Sequence, residues 1–172
     1  MLQELVNPHE KGKNEITVGF KVFREGDKVM QIKNNYNIGW EKGKDSGEGI
    51  FNGDIGIIEK IDNRNECVII CFDDDRRATY MKDQLIELEL AYAVTVHKSQ
   101  GSEFKAVILP IISVIPQLKY RNLLYTAVTR AKEKLVIVGS SGEVFEMAQN
   151  DKKTRRYSAL KYMLLENENE QG

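Results

Sequence analysis

The 172-residue chain has two cysteines, three prolines, two histidines and one tryptophan, and no apolar run long enough to cross a bilayer. Two cysteines cannot build a disulfide scaffold. They lie four apart in Cys67-Val68-Ile69-Ile70-Cys71, a β-branched run that reads as extended. Four residues of strand span roughly 13 Å, whereas a bridge needs Cα atoms within about 7 Å. The expectation is two core thiols on one face of a strand, in a reducing compartment and with no zinc site. Charge of one sign is lacking too, since 25 basic and 26 acidic residues leave a net charge of -1. That excludes a polycation that coats nucleic acid everywhere, so any such contact is local. Met1 to Glu10 has no signal-peptide pattern, and a cytoplasmic location without membrane contact is expected.

A phosphate-cradling loop, Gly-x-x-x-x-Gly-Lys-Ser/Thr, is also missing: Gly12-Lys13 is followed by Asn14, and Gly43-Lys44 by Asp45. Asp73, Asp74 and Asp75 follow the apolar run Cys67 to Phe72 and read as a charged turn between two hairpin strands rather than a magnesium site. No metal ligands are assigned.

An apolar content of 41% suits a packed core, with room for one medium domain or two small ones. Residues 1–19 show little periodicity, and the polar stretch His9 to Glu15 suggests a mobile loop. From Phe20 the chain reads as strands: Phe20, Val22 and Phe23, a turn at Glu25-Gly26-Asp27, then Val29, Met30 and Ile32 running into Lys33-Asn34-Asn35-Tyr36. Gly39 to Gly49 is rich in glycine and charge, which predicts a flexible segment or a hairpin tip, poorly ordered. Apolar runs over Gly49–Ile61, Glu66–Phe72 and Ala78–Met81, separated by Asp/Asn-rich turns, suggest a strand meander closing into a small barrel over residues 37–87.

Beyond this the pattern becomes α/β. Leu88 to Val94 is an apolar approach, and Ala106 to Ile112 and Leu135 to Gly139 read as strands covered on both faces. Between them Leu118, Leu124, Tyr125 and Val128 recur at helical spacing within Gln117 to Ala131. Strand, helix and strand of this length predict a right-handed crossover in a parallel sheet. Further helices are predicted at Glu143–Gln149 and Thr154–Glu166, the latter preceded by the basic cluster Lys152, Lys153, Arg155 and Arg156, which reads as a solvated face.

Two stretches carry chemistry: Ala91 to Glu103, AYAVTVHKSQGSE, and Tyr125 to Ala131, YTAVTRA. They resemble motifs V and VI of superfamily 1 helicases. The wording HKSQG together with YTAVTRAKEKLVIVG is most similar to the RecD-like branch, the exodeoxyribonuclease V alpha chain and its relatives. Gly49 to Gly56, GIFNGDIG, matches the start of an SH3-like barrel inserted in that family. The likeness spans roughly Leu2 to Leu165.

The resemblance implies an α/β fold: a partial RecA-like, P-loop-NTPase-type parallel sheet domain, residues 1–36 and 88–172, with an SH3-like β-barrel inserted at 37–87. It implies a chain that begins partway into the second motor domain, with one sheet edge left unpaired. It also implies the C-terminal part of an ATP-dependent 5′ to 3′ DNA helicase acting in recombination and repair. ATP and Mg2+ would be bound mainly by an N-terminal motor domain, none of them tightly by this stretch, which alone would not hydrolyse ATP. Arg130 would be an arginine finger; Gly101 and Glu103 would approach the nucleotide. Thr95, His97, Lys98 and Ser99 would face single-stranded DNA, binding phosphates without reading sequence.

Asn34 and Asn35, beside Tyr36, are candidate donors to the same strand, with a plain surface turn as the other reading. Trp40 is either a stacking group or a residue packed on the barrel. Implied partners are single-stranded DNA, the N-terminal RecA-like domain and subunits of a recombination complex. An alternative is a non-catalytic adaptor that binds nucleic acid or protein through the barrel. A nuclease finds no support, because no acidic cluster with a nearby lysine stands out.

Overall fold

The computed structural model describes residues 2–151. The chain forms two compact units, one through Glu103 and one from Phe104.

In the first unit a short helix, α1 (Leu2–Val6), precedes an antiparallel pair, β1 (Glu15–Val18) and β2 (Lys21–Arg24), which sets Ile16 opposite Phe23. Seven further strands follow: β3 (Lys28–Gln31), β4 (Asn35–Lys42), β5 (Asp45–Ile50), β6 (Ile55–Asp62), β7 (Cys67–Phe72), β8 (Arg77–Met81) and β9 (Leu88–Leu90). They form one antiparallel sheet in the order β5-β4-β8-β7-β6-β3-β9. The sheet takes in a strand on either side of residues 37–87, because β3 pairs with both β6 and β9.

Period-two alternation puts Val68, Ile70 and Phe72 of β7 and Ala78 and Tyr80 of β8 into the core, with Phe23, Val29, Ile38, Ile50, Leu85 and Leu88. Full burial of each large apolar side chain contributes about 1.5–3 kcal/mol, so this face is the main source of the unit's stability. Ile58 and Ile61 are three apart yet both buried. A strict alternation would turn one outward; a register shift between Ile58 and Lys60 restores the inward direction.

Three expectations change. The glycine-rich stretch 39–49 is a regular hairpin, β4 against β5, turning at Gly43-Lys44 with Lys42 opposite Asp45. Trp40 explains its order: the ring packs on the core and lies over Gly47, where a Cβ would sit 2.6 Å from Cζ2. Cys67 and Cys71 are free and share a face, but it is the outer, half-buried one, because Val68, Ile70 and Phe72 take the core. The N-terminal stretch holds α1 and β1, leaving only its middle as loop; α1 escapes periodicity because its buried residue, Gln3, and Asn7 just after it are polar.

Asp73 to Arg76 is a charged turn, closed by Phe72 N–H donating to the Arg76 carbonyl at 2.8 Å, with Asp75 at φ 66°. Arg76 bonds Asp74 (2.6 Å) and Asp54 (2.8 Å) and lies 5.7 Å from the Trp40 ring centre. No cluster of three potential metal ligands occurs among the described residues.

The second unit contains β10 (Phe104–Ile111), α2 (Arg121–Val128), β11 (Ala131–Gly139) and α3 (Ser141–Gln149). β10 and β11 pair in parallel, joined through α2, with Val107 opposite Leu135 and Ile111 opposite Gly139. The approach of the two strands at that last pair needs glycine: a Cβ on Gly139 would stand 1.9 Å from the Ile111 carbonyl oxygen. Among the described residues the parallel sheet has these two strands, and they are not covered on both faces: Ile108 is 72% and Val136 52% exposed. The predicted helix Thr154–Glu166 and the basic cluster before it lie outside the described residues. No described helix is long and apolar enough to cross a membrane.

Candidate functional site

The stretch from Ala91 to Glu103 leaves the sheet at the end of β9. Its first residues are clamped. The Ala91 N–H donates to the Lys28 carbonyl at 2.7 Å, and the Tyr92 hydroxyl donates to Asp27 Oδ1 at 2.8 Å. Burial, and then the bond to Asp27, pushes the Tyr92 phenol up to about 12.

The chain then makes a tight turn over 96–101. Thr95 opens it as an N-cap would, its Oγ1 accepting the Lys98 N–H at 3.3 Å while its carbonyl accepts the Ser99 N–H at 3.0 Å. The Gln100 N–H donates to the His97 carbonyl and the Ser102 N–H to that of Ser99. Gly101, at φ 92°, has the left-handed conformation that glycine adopts without strain, and a Cβ there would meet no atom within 4 Å.

The turn presents some candidates and encloses one. Thr95, His97, Lys98, Gly101 and Glu103 are exposed. Lys98 Nζ forms an ion pair with Glu89, whose carboxyl this hydrogen bond holds below the usual range. Both side chains of the pair are 40% exposed, so it is worth little and is cheaply exchanged. Ser99 is only 4% exposed, and its hydroxyl donates to the Val96 carbonyl at 2.8 Å, so it shapes the turn from within.

Asn34 and Asn35 lie in the same unit, where β3 passes into β4. Asn34 Oδ1 accepts the Asn52 N–H at 2.9 Å. Asn35 donates to Glu87 at 2.9 Å and accepts the Asn37 N–H at 3.0 Å. Glu87 also receives Gln31, whose Oε1 accepts the buried Tyr80 hydroxyl at 3.0 Å. Both asparagines thus tie loops to the seven-stranded sheet's unit. Beside them Tyr36 and Phe51 form an edge-to-face pair, centres 5.7 Å apart, and are 64% and 42% exposed.

Arg130 belongs to the second unit, at the end of α2, half-buried. Its Nε donates to the Thr126 carbonyl at 3.0 Å and Nη2 to Thr129 Oγ1 at 3.2 Å. The guanidinium therefore lies along the last helical turn, where cations are favoured by the carbonyl dipoles. The backbone is held as well, with the Phe104 N–H donating to the Arg130 carbonyl at 2.8 Å.

Sequence reasoning missed Asp27, Tyr92 and Glu89. Asp27 was legible only as part of a Glu-Gly-Asp turn; nothing local marks a carboxylate whose side-chain partners come from two distant stretches.

Residues 1–72 match a family model described as the ATP-dependent RecD-like DNA helicase SH3 domain, and residues 90–138 one described as the UvrD-like helicase C-terminal domain. The chain is 33% identical over 159 residues to the ATP-dependent RecD2 DNA helicase of Deinococcus radiodurans, an alignment covering 92% of this chain and 20% of that protein. It is 36% identical over 100 residues to the RecBCD enzyme subunit RecD of Mycolicibacterium smegmatis, covering 58% of this chain and 17% of that one. The chain thus spans a fifth or less of the length of these relatives. In fold it is similar to the Pif1 helicase from Bacteroides crystallised with ADP-AlF3 and ssDNA, with a TM-score of 0.51 at 17% identity over 97% of this chain and 42% of that one.

Proposed function

This chain belongs to the RecD-like DNA helicases, and on that premise we propose that it is the C-terminal motor portion of an ATP-dependent helicase that moves 5′ to 3′ on single-stranded DNA in recombination or repair. The motor would comprise residues 1–36 and 88–172, with 37–87 as the inserted barrel. The observation that carries the reading is the Thr95-capped turn, which displays His97 and Lys98 on the surface behind one weak ion pair. A hydroxyl, an imidazole and an ammonium so displayed suit a phosphate backbone and read no base. Thr95, His97, Lys98 and Ser99 are the strand-facing residues of the turn in this reading, with Asn34 and Asn35 as further single-stranded DNA contacts; Ser99, whose hydroxyl is turned to the Val96 carbonyl, would act from within the turn.

ATP hydrolysis supplies the free energy for stepping, and its acceleration rests on positioning and on neutralising phosphate charge. The chain's own contributions would be Arg130, which must exchange its helix-end bonds for the nucleotide's phosphates, Glu103 as an acceptor for the ribose, and Gly101, whose missing Cβ permits close approach. Phosphates and Mg2+ would be held mainly by another domain, since the described residues offer no phosphate-cradling loop and no metal cluster.

The test is DNA-stimulated ATP hydrolysis by the full-length parent. Arg130→Ala is expected to lower turnover by about 10³ to 10⁵ with the fold intact, and Arg130→Lys to recover little, because lysine lacks the planar fork. Turnover indifferent to Arg130 would refute its role. The exposed Tyr36–Phe51 pair favours a second reading, an adaptor that binds through the barrel. Single-stranded DNA binding that depends on His97 supports the motor; binding that depends on Tyr36 and Phe51 alone supports the adaptor.

A further inference from the structure

We infer that Asp27 is the positioning residue of the turn 95–101, holding it in place through Tyr92; the inference rests on the reading of that turn as the DNA contact. Asp27 is fully buried. Its Oδ1 accepts from Asn7 Nδ2 (2.7 Å) and the Tyr92 hydroxyl (2.8 Å), and its Oδ2 from Gln3 Nε2 (2.7 Å) and the Arg24 N–H (2.8 Å). Four donors converge from three stretches of chain: α1 with the residue that follows it, the end of β2 and the entry to the turn at 95–101. A buried carboxylate that loses a donor is costly to keep, so the four bonds fix one another.

Positive charge reaches the carboxylate through Asn7. Lys13 Nζ donates to Asn7 Oδ1 at 2.5 Å, and Arg24 Nη1 donates to the Asn7 carbonyl at 3.1 Å. The amide between Lys13 and Asp27 is thereby polarised in the direction that strengthens its bond to the carboxylate. This also accounts for the inverted helix α1, which turns Gln3 inward, with Asn7 buried just beyond its end, and leaves Leu5 (81%) and Val6 (66%) in solvent. The helix is organised around Asp27 rather than around apolar contacts.

Tyr92 is the one donor to Asp27 that belongs to the stretch carrying the candidate site. The turn's other tie, Lys98 to Glu89, is an exposed ion pair that Lys98 must leave to reach a phosphate. Asp27 and the adjacent Ala91–Lys28 bond then hold the turn's entry while Lys98 changes partner. A loop meant to carry load along a strand needs such a fixed root.

Tyr92→Phe removes one hydroxyl and nothing else. Hydrogen exchange of the Lys98, Ser99, Gln100 and Ser102 amides in the whole 172-residue chain reads the consequence without any ligand. Each of these amides is bonded within the turn. The expected result is exchange faster by about tenfold or more, the scale of one lost bond to a charged group. Tyr80→Phe is the control, because it deletes another hydrogen-bonded tyrosine hydroxyl of the same unit, the buried one bonded to Gln31. It should leave the turn's amides as slow as before. Asp27→Asn should loosen both the turn and the Asn7 amide at the end of α1, which donates to the Gln3 carbonyl; if that variant does not fold, Tyr92→Phe still decides. Unchanged exchange in Tyr92→Phe, or equal loosening by Tyr80→Phe, overturns the inference.

Binding of a fluorescent oligo-dT by the same proteins separates this result from the DNA reading. Affinity reduced by both His97→Ala and Tyr92→Phe supports both. Faster exchange with a His97→Ala affinity equal to wild type upholds the positioning role and removes only the ligand assigned to the turn.

Discussion

Gly56 lies in β6 between β3 and β7, opposite Val29 on one side and Phe72 on the other. An added Cβ would stand 2.6 Å from the Cys71 carbonyl oxygen and 2.8 Å from Ile70 Cγ2. Comfortable separations are about 3.5–4.0 Å, so Gly56→Ala must push β6 off β7 by most of an ångström. Overpacking of this kind costs about 1–3 kcal/mol, and the reduced freedom of the unfolded chain returns less than about 1 kcal/mol. Gly39 undergoes the same change of residue in the same sheet, but its nearest neighbour is the Gly47 oxygen at 4.0 Å. Gly39→Ala should therefore be neutral or slightly stabilising.

Trp40, the single tryptophan, sits in β4 of that sheet and reports the first unit selectively. With a urea slope of about 1–1.5 kcal/mol per molar, Gly56→Ala should lower the fluorescence midpoint by about 1–2 M, while Gly39→Ala leaves it unchanged or raises it by about 0.5 M at most. Equal midpoints for the two variants would refute the steric reasoning and the strand spacing behind it.

Binding of oligo-dT to the chain should depend only weakly on salt. Lys98 is the one formal cation in the displayed turn, and each phosphate neutralised contributes about 0.7 to the log–log slope, so a slope steeper than about 2 would place the contact elsewhere. Stability should fall in alkali. The Tyr92 phenol is pushed up to about 12 and the buried Tyr80 phenol is raised too, whereas unfolded tyrosine ionises near pH 10. The stability they contribute is complete below about pH 10, and the Tyr92 part is lost between about pH 10 and 12. Tyr92→Phe should flatten the decline of the urea midpoint across that window; an unchanged slope would show that Tyr92 does not titrate as its surroundings imply. Mild oxidation should leave the mass of the monomer without the loss of two hydrogens, since Cys67 and Cys71 are about 13 Å apart along one strand. Native-state alkylation of Cys71 should be slow near pH 8, because burial pushes its thiol up.

Local pattern was enough wherever the governing interactions are local. Alternation in Cys67–Phe72 and Arg77–Met81, the acidic turn between them and the parallel crossover around α2 all follow from side-chain period and turn chemistry. The likeness of HKSQG and YTAVTRA to helicase motifs was equally legible, because it depends on the order of residues and on nothing distant.

Other features depend on partners far along the chain. Whether the Gly39–Gly49 stretch is loose or paired was settled by Trp40 folding over Gly47 and by β8 pairing alongside β4. Which face of β7 carries the cysteines was decided by the shape of the enclosed core, since alternation alone fits either side. Ser99, read as a phosphate ligand from its motif, has its hydroxyl turned to the Val96 carbonyl, a direction set by the turn's own hydrogen bonds. Asp27 is the sharpest case. The sequence by itself determined an acidic turn residue; only the tertiary structure brought Gln3, Asn7 and Tyr92 to it. The physical reason is that a buried carboxylate is tolerated only where the fold supplies its donors, and these come from positions 20 to 65 residues away.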